Sequence, residues 1–304
     1  MQITNRVLMI RPAAFGYNYE TAVNNSFQKN PEESRVNERA QEEFDEFVSL
    51  LRAEGIFVDV IQDSLEPYTP DSIFPNNWFS TEISINGDRS LVLFPMFAKN
   101  RRAEKSSDKI DFIKSIIEAK RVEDLSYLED KEVFLEGTGS MVIDRENRVI
   151  YACESIRTSR KALKIFADKF GYKYVLFGAF DSHDNVIYHT NVMMCVGEKF
   201  AVVCLDAVKD LDDRVSLIES LEEFNKEVIE ISLEQMENFA GNMLELKGSQ
   251  NKRVLVMSES ARKSLTKNQI DSLEKYCKII SPSLSTIETY GGGSARCMMG
   301  EIFY

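Results

Sequence analysis

The chain has 304 residues, 43% of them hydrophobic and 28% charged, and carries a formal net charge of -12. That length buries a large core and the composition is that of a globular protein, which sets aside disordered and fibrous classes. The acidic balance argues against a nucleic-acid partner, because phosphate binding needs a basic surface and Lys99-Asn100-Arg101-Arg102 is too short to supply one.

Met1 to Arg6 runs straight into a strand-like segment, so no signal peptide is expected. No apolar stretch approaches the length of a membrane span, and a cytoplasmic location without membrane contact is expected. Arg6 to Pro12 reads as a strand. Phe44, Phe47, Val48 and Leu51 then recur at helical spacing until Gly55 stops the helix. Leu91 to Phe94 is β-rich, Ile110 to Ile117 helical, and Thr158 to Phe170 a helix closed by Gly171. Tyr174 to Phe177 is again β-rich. Helices follow through Val215, Ile218, Leu221 and Phe224 and through Ile270, Leu273 and Cys277, and Met298-Met299 reads as a last strand. No linker interrupts this alternation, so a single α/β domain over residues 1–304 is expected.

A repeat runs through the alternation. Small or polar residues lead into apolar strands at Asn77, Thr138, Asn191, Asn242 and Cys297, in steps of about fifty to sixty residues, the size of a strand-helix-strand unit. Five such units close into a ring if their strand mouths face one centre, and polar residues from distant parts of the chain then share one pocket. The plainer reading is that asparagine and glycine punctuate strand starts.

Four segments point to that pocket. Leu135-Glu136-Gly137-Thr138-Gly139 sets a carboxylate beside a flexible turn, and Tyr188-His189-Thr190-Asn191 sets an imidazole at the next repeat. Asp71-Ser72-Ile73-Phe74-Pro75-Asn76-Asn77 supplies an acid and two amides. Gly291-Gly292-Gly293-Ser294-Ala295-Arg296-Cys297 delivers a thiol after a glycine turn. Cys153, Cys195, Cys204 and Cys277 lie in apolar runs and read as core. With five scattered cysteines and only His183 and His189, neither a disulfide framework nor a zinc site is expected, and no metal or cofactor. His183 lies in a polar loop and reads as solvated.

The order Asp71, Asn76-Asn77, Arg101, Glu136, Arg157, His189, Cys297 resembles the guanidino-group-modifying enzymes of the pentein fold, a five-bladed αβ propeller, over the whole chain. Within that superfamily it looks like the dimethylarginine dimethylaminohydrolases. It is more similar still to the citrulline-utilisation hydrolases, or citrulline ureidases, through Phe15-Gly16-Tyr17-Asn18 and Phe74-Pro75-Asn76-Asn77-Trp78. The resemblance implies Cys297 as nucleophile, His189 as general acid and base, Glu136 as its partner, and Arg101 and Arg157 as the substrate-carboxylate grip. Arg102 and Arg160 read as surface charges. Asp71 is expected to take a substrate amine or N–H.

Where this chain has Asn76-Asn77, guanidine hydrolases of the family carry a Glu-Asp or Arg-Asp pair, and where it has Asn191 the deiminases carry aspartate. Carboxylates only accept hydrogen bonds and match a guanidinium, whereas an amide both donates and accepts and matches a neutral ureido group. The resemblance therefore implies a metal-independent hydrolase that cleaves citrulline to ornithine, ammonia and carbon dioxide through an S-carbamoyl enzyme. Its oxyanion is expected to meet backbone N–H groups of the glycine turn. The alternatives are a dimethylarginine dimethylaminohydrolase, an arginine deiminase or an amidinotransferase. A pentein that only binds another protein fits less well, because cysteine, histidine and glutamate are all present. The expected partner is a small amino acid, and self-association stays open.

Overall fold

The computed structural model describes residues 1–31, 34–84 and 86–304. Strand β1 (Arg6–Arg11) is followed by the helix Val36–Ala53 and then by β2 (Phe57–Gln62), which lies parallel to β1 with Arg6 opposite Phe57. The helix forms because Phe44, Phe47, Val48 and Leu51 share one apolar face, and that face is buried. It ends before Gly55, whose φ of 79° continues no helix.

The next unit repeats the plan with an added hairpin. Strands β3 (Phe79–Ile83) and β4 (Arg89–Leu93) pair antiparallel, the helix Ser107–Ile117 crosses over, and β5 (Arg121–Asp124) returns parallel to β4. Strands β6 (Val142–Asp144), β7 (Val149–Cys153) and β8 (Lys173–Phe177) follow the same order around the helix Arg160–Phe170. So do β9 (Met194–Val196), β10 (Phe200–Val203) and β11 (Glu227–Glu230) around Leu211–Glu223. In the fourth such unit β12 (Leu244–Lys247) and β13 (Arg253–Val256) form the hairpin, and helices Glu259–Ser264 and Lys267–Glu274 lead to β14 (Lys278–Ile280). The last strand, β15 (Gly300–Glu301), pairs antiparallel with β1, setting Val7 opposite Glu301. Among the described residues the strands therefore make five sheets of three, each with one antiparallel and one parallel neighbour.

One expected element differs. Met298-Met299 is not a strand: Ala295–Met298 is a helical turn, the Met299 N–H returns to the Arg296 carbonyl, and pairing begins only at Gly300. The missing side chain at Gly300 lets the Phe79 ring lie against the backbone, since a Cβ there would come within 2.4 Å of it. Cys153, Cys195, Cys204 and Cys277 are buried free thiols, as core residues should be. No helix among the described residues is long and apolar enough to cross a membrane.

What positions the site is the segment before each inner strand. Short helical turns Pro75–Asn77, Gly137–Ser140, Thr190–Val192 and Ala295–Met298 precede β3, β6, β9 and β15. A tight turn closed by Asn242 N–H to Phe239 O, 2.9 Å, precedes β12. Turns from different sheets touch, so residues far apart in sequence meet.

Candidate active site

Glu136 opens the turn Gly137–Ser140 and is fully buried. Gly137 has a φ of 48°, and a Cβ on it would stand 2.3 Å from the Asn76 carbonyl, so glycine alone lets this turn rest on Asn76-Asn77. At Gly139 a Cβ would meet Asn77 Nδ2 at 2.4 Å and His189 Nδ1 at 2.8 Å. That glycine leaves room for the amide and the imidazole to flank one point.

Glu136 Oε2 accepts from His189 Nε2 at 2.7 Å and Oε1 from the Phe97 N–H at 2.9 Å. Arg157 Nη1 approaches the same carboxylate at 3.5 Å. Burial alone would raise the Glu136 carboxyl, but Arg157, the His189 hydrogen bond and Arg101 together hold it well below the usual carboxylate range. His189 moves down to about 4, because burial outweighs the opposing pull of Glu136. The imidazole is thus neutral at physiological pH, oriented by a charged carboxylate, with Nδ1 beside Gly139.

Cys297 is only 4% exposed, so the thiol is buried rather than displayed. Its sulfur meets two amides, Asn191 Nδ2 at 3.4 Å and Asn242 Nδ2 at 3.3 Å. Asn242 is held from both ends: its Oδ1 accepts from the Arg296 N–H at 3.0 Å and its Nδ2 donates to the Asn191 carbonyl at 3.0 Å. Sequence reading placed oxyanion donors in the glycine turn. There the Gly292 N–H is taken by the Glu288 carbonyl and the Cys297 N–H by the Ser294 carbonyl. The N–H groups on the sulfur belong to side-chain amides. The sequence marks Asn242 only as a repeat position, although its place in the series of turns is equivalent to that of Asn191.

Arg101 is committed within the protein. Its Nε and Nη2 form a fork on Glu104, 2.8 and 3.0 Å, Nη1 donates to Asn77 Oδ1 at 2.7 Å, and Nη2 also reaches the Phe74 carbonyl at 3.0 Å. Arg157 packs on the Tyr188 ring, 4.7 Å from its centroid, and donates to Asn24 Oδ1 through Nε at 2.8 Å and through Nη2, and to the Thr21 carbonyl at 2.9 Å. Arg102 is not a free surface charge, since it bonds the Met96 carbonyl at 3.0 Å and pairs with Glu129. Arg160 is exposed beside Glu154, and His183 is exposed in its loop.

Asp71 is buried and its carboxyl raised by that burial, against the lowering effect of Arg101, Asn18 and Thr21. Oδ2 accepts from Asn18 at 2.8 Å and Thr21 at 2.9 Å, while Oδ1 has no partner. Asn77 Nδ2, Asn191 Oδ1 and both carboxamide atoms of Asn76 are also buried without partners. Native interiors leave few such atoms, and those of Asp71 and Asn77, in side chains that line one cavity with the Cys297 thiol, mark a place where a polar ligand belongs.

Asp71, Asn77, Arg101, Arg157, His189 and Cys297 line one cavity of ≈ 20 Å³, roofed by Thr21 and Asn25. That space holds about one water molecule. Glu136 stands behind His189, Asn191 beside the sulfur, and Asn76 is buried away from the cavity wall. The roof segment is anchored by Asn25 to the Gly291 carbonyl at 3.3 Å and Gln28 to the Tyr290 carbonyl at 3.0 Å. Among the described residues no group of three His, Cys, Asp or Glu side chains is arranged to hold a metal ion.

A family model described as N,N dimethylarginine dimethylhydrolase, eukaryotic, matches residues 11–304. No curated protein matches in sequence. Among solved structures, the N-terminal domain of ArgZ, a cyanobacterial arginine dihydrolase of the ornithine-ammonia cycle, bound to substrate, superposes with a TM-score of 0.77 at 20% identity, over 98% of this chain and 97% of that one. AgrE in a ternary complex with ornithine and NAD+ gives 0.77 at 20% identity, over 98% of this chain and 39% of that one. A dimethylarginine dimethylaminohydrolase adduct with S-methyl-L-thiocitrulline gives 0.64 at 15% identity, over 98% and 99%. The chain spans about 40% of full-length ArgZ. These likenesses fix the fold as that of the guanidino-modifying enzymes.

Proposed function

The chain belongs to the N,N-dimethylarginine dimethylhydrolase family, a family of C–N hydrolases, and from that premise we propose that it hydrolyses the ureido group of citrulline to ornithine, ammonia and carbon dioxide. We read the five sheets as the blades of one closed catalytic unit over residues 1–304, with the turns before β3, β6, β9, β12 and β15 facing its axis.

One observation carries the substrate choice. Arg101 can only donate, so the Asn77 atom it meets at 2.7 Å is Oδ1 and the atom left for the cavity is the donor Nδ2. A donor there pairs with a ureido oxygen and opposes a guanidinium, whose nitrogens all donate. Asn191 also leaves Oδ1 unpartnered, but it stands beside the sulfur and outside the cavity lining, so the substrate choice rests on Asn77. Asp71 Oδ1 suits the α-ammonium and Arg157 the α-carboxylate, once Asn24 has left the fork.

In this scheme Cys297 attacks the ureido carbon while the amides of Asn191 and Asn242 offer N–H groups to the developing charge. His189 takes the thiol proton and returns it to the departing ornithine nitrogen, leaving an S-carbamoyl thioester-like adduct. Water deprotonated by His189 then releases carbamic acid, which falls apart to ammonia and carbon dioxide. Glu136 keeps the imidazole oriented and supports its charge.

A guanidino substrate is the second reading, favoured by the unpaired Asp71 oxygen in the cavity and by the likeness to arginine dihydrolases. The test is release of ornithine and ammonia from citrulline, arginine and N,N-dimethylarginine. We expect citrulline to win by at least about a hundredfold in kcat/KM, the consequence of about 3 kcal/mol of mispairing. A preference for arginine or dimethylarginine overturns the ureido reading and installs the second.

A further inference from the structure

The amide of Asn77 reads substrate only if it cannot turn over, and the structure shows what prevents that. A carboxamide rotated by a half-turn keeps its shape and swaps donor for acceptor. Its orientation is set by whichever neighbour refuses one of the two atoms. That neighbour is Arg101 Nη1, 2.7 Å from Oδ1. Arg101 in turn is held by Glu104, which is 0% exposed and takes the guanidinium through both oxygens at 2.8 and 3.0 Å. The pairing is a planar fork with little rotational freedom, and the same Nη2 reaches the carbonyls of Phe74, 3.0 Å, and Asp71, 3.4 Å.

Glu104 lies outside the cavity and touches neither the sulfur nor the imidazole. Burying a carboxylate and a guanidinium together stabilises a fold little, since desolvation cancels most of the attraction, so a buried pair calls for another explanation. We propose that Glu104 is a specificity-determining positioning residue: by clamping Arg101 it locks the Asn77 carboxamide with Nδ2 toward the substrate, and so sets the enzyme for a ureido rather than a guanidino group. This deepens the citrulline reading and rests on it. Without the clamp Arg101 swings, the amide turns, and Oδ1 becomes available to a guanidinium. The chain then loses selectivity more than it loses catalytic machinery.

The experiment is a double-mutant cycle on the ratio of kcat/KM for citrulline to that for arginine. Glu104→Gln is expected to lower that ratio by about tenfold or more, the scale of one charge-assisted hydrogen bond. Asn77→Ser removes the amide, and in that background Glu104→Gln should change the ratio no further. A general structural defect lowers both activities together and leaves the ratio alone. Arg101→Lys, which keeps the charge and loses the fork, should lower the ratio like Glu104→Gln, and it carries the test if Glu104→Gln does not fold. An unchanged ratio in the folded variants, or equal effects of Glu104→Gln with and without Asn77, overturns the proposal. Failure of the wild type to prefer citrulline overturns the functional reading instead, so the two failures are told apart.

Discussion

Cys297 meets residues more than fifty positions away: the amides on its sulfur come from Asn191 and Asn242, and His189, the base of the proposed scheme, shares its cavity. Cys297→Ser is expected to abolish turnover and to leave circular dichroism and the melting profile close to wild type, since a near-isosteric change at a cavity wall opens no void. Cys195→Ala should do the opposite, keeping turnover and costing about 1 kcal/mol of stability read by urea titration. Burial moves the His189 imidazole to about 4, so the acid limb of the kcat/KM profile is expected near pH 4. A limb near 6.5 would assign the proton to an imidazole free of that burial. Sequence alone showed that Glu136, His189 and Cys297 stand at repeat markers, because turn residues announce themselves. It could not show that Arg101 is spent on Glu104 and Asn77, since hydrogen-bond partners are decided by packing between sheets.

At the level of elements, the turns do the positioning and the roof segment covers the cavity. Gly139→Ala is predicted to lower kcat by about a hundredfold while the protein stays folded, because the new methyl group drives Asn77 and His189 apart. Steady-state kinetics beside a melting curve checks it. The roof predicts an asymmetric pair of changes in KM for citrulline. Arg157→Ala should raise KM by about ten- to a hundredfold, the worth of a charged hydrogen bond, with kcat falling too because Glu136 loses a partner. Asn24→Ala should lower KM by a few-fold, since the Asn24 oxygen occupies the fork that a carboxylate needs. An unchanged KM in both would remove Arg157 from substrate binding. The helices were legible from apolar periodicity and the helix Arg160–Phe170 from its closing glycine. The roof was not legible, because Asn18, Thr21 and Asn24 act through polar contacts to distant segments that leave no periodic trace.

For the molecule as a whole, the repeat of about fifty to sixty residues is a weak signal in the sequence, and the five sheets of one plan are its structural form. The last strand was misjudged by two residues because Met298-Met299 is apolar for packing rather than for pairing. Global stability should carry the mark of the buried imidazole. Its folded value lies below the unfolded one of about 6.5, so the unfolded chain binds the extra proton first and stability declines as pH falls from 6.5 towards 4. Between pH 7 and pH 5 this one group is expected to remove about 2 kcal/mol, and His189→Gln should lose correspondingly less in urea titrations over the same interval. The pairing of β15 with β1 has a kinetic consequence. Four sheets are built from neighbouring segments, each joined by one hairpin and one crossover, and can nucleate early. The fifth joins Val7 to Glu301, so its loop closure spans almost the whole chain and comes at the greatest entropic disadvantage. Cys297 lies in the turn that leads into that late-forming sheet, so a refolding population is expected to regain most of its secondary structure before its thiol reaches the amides of Asn191 and Asn242.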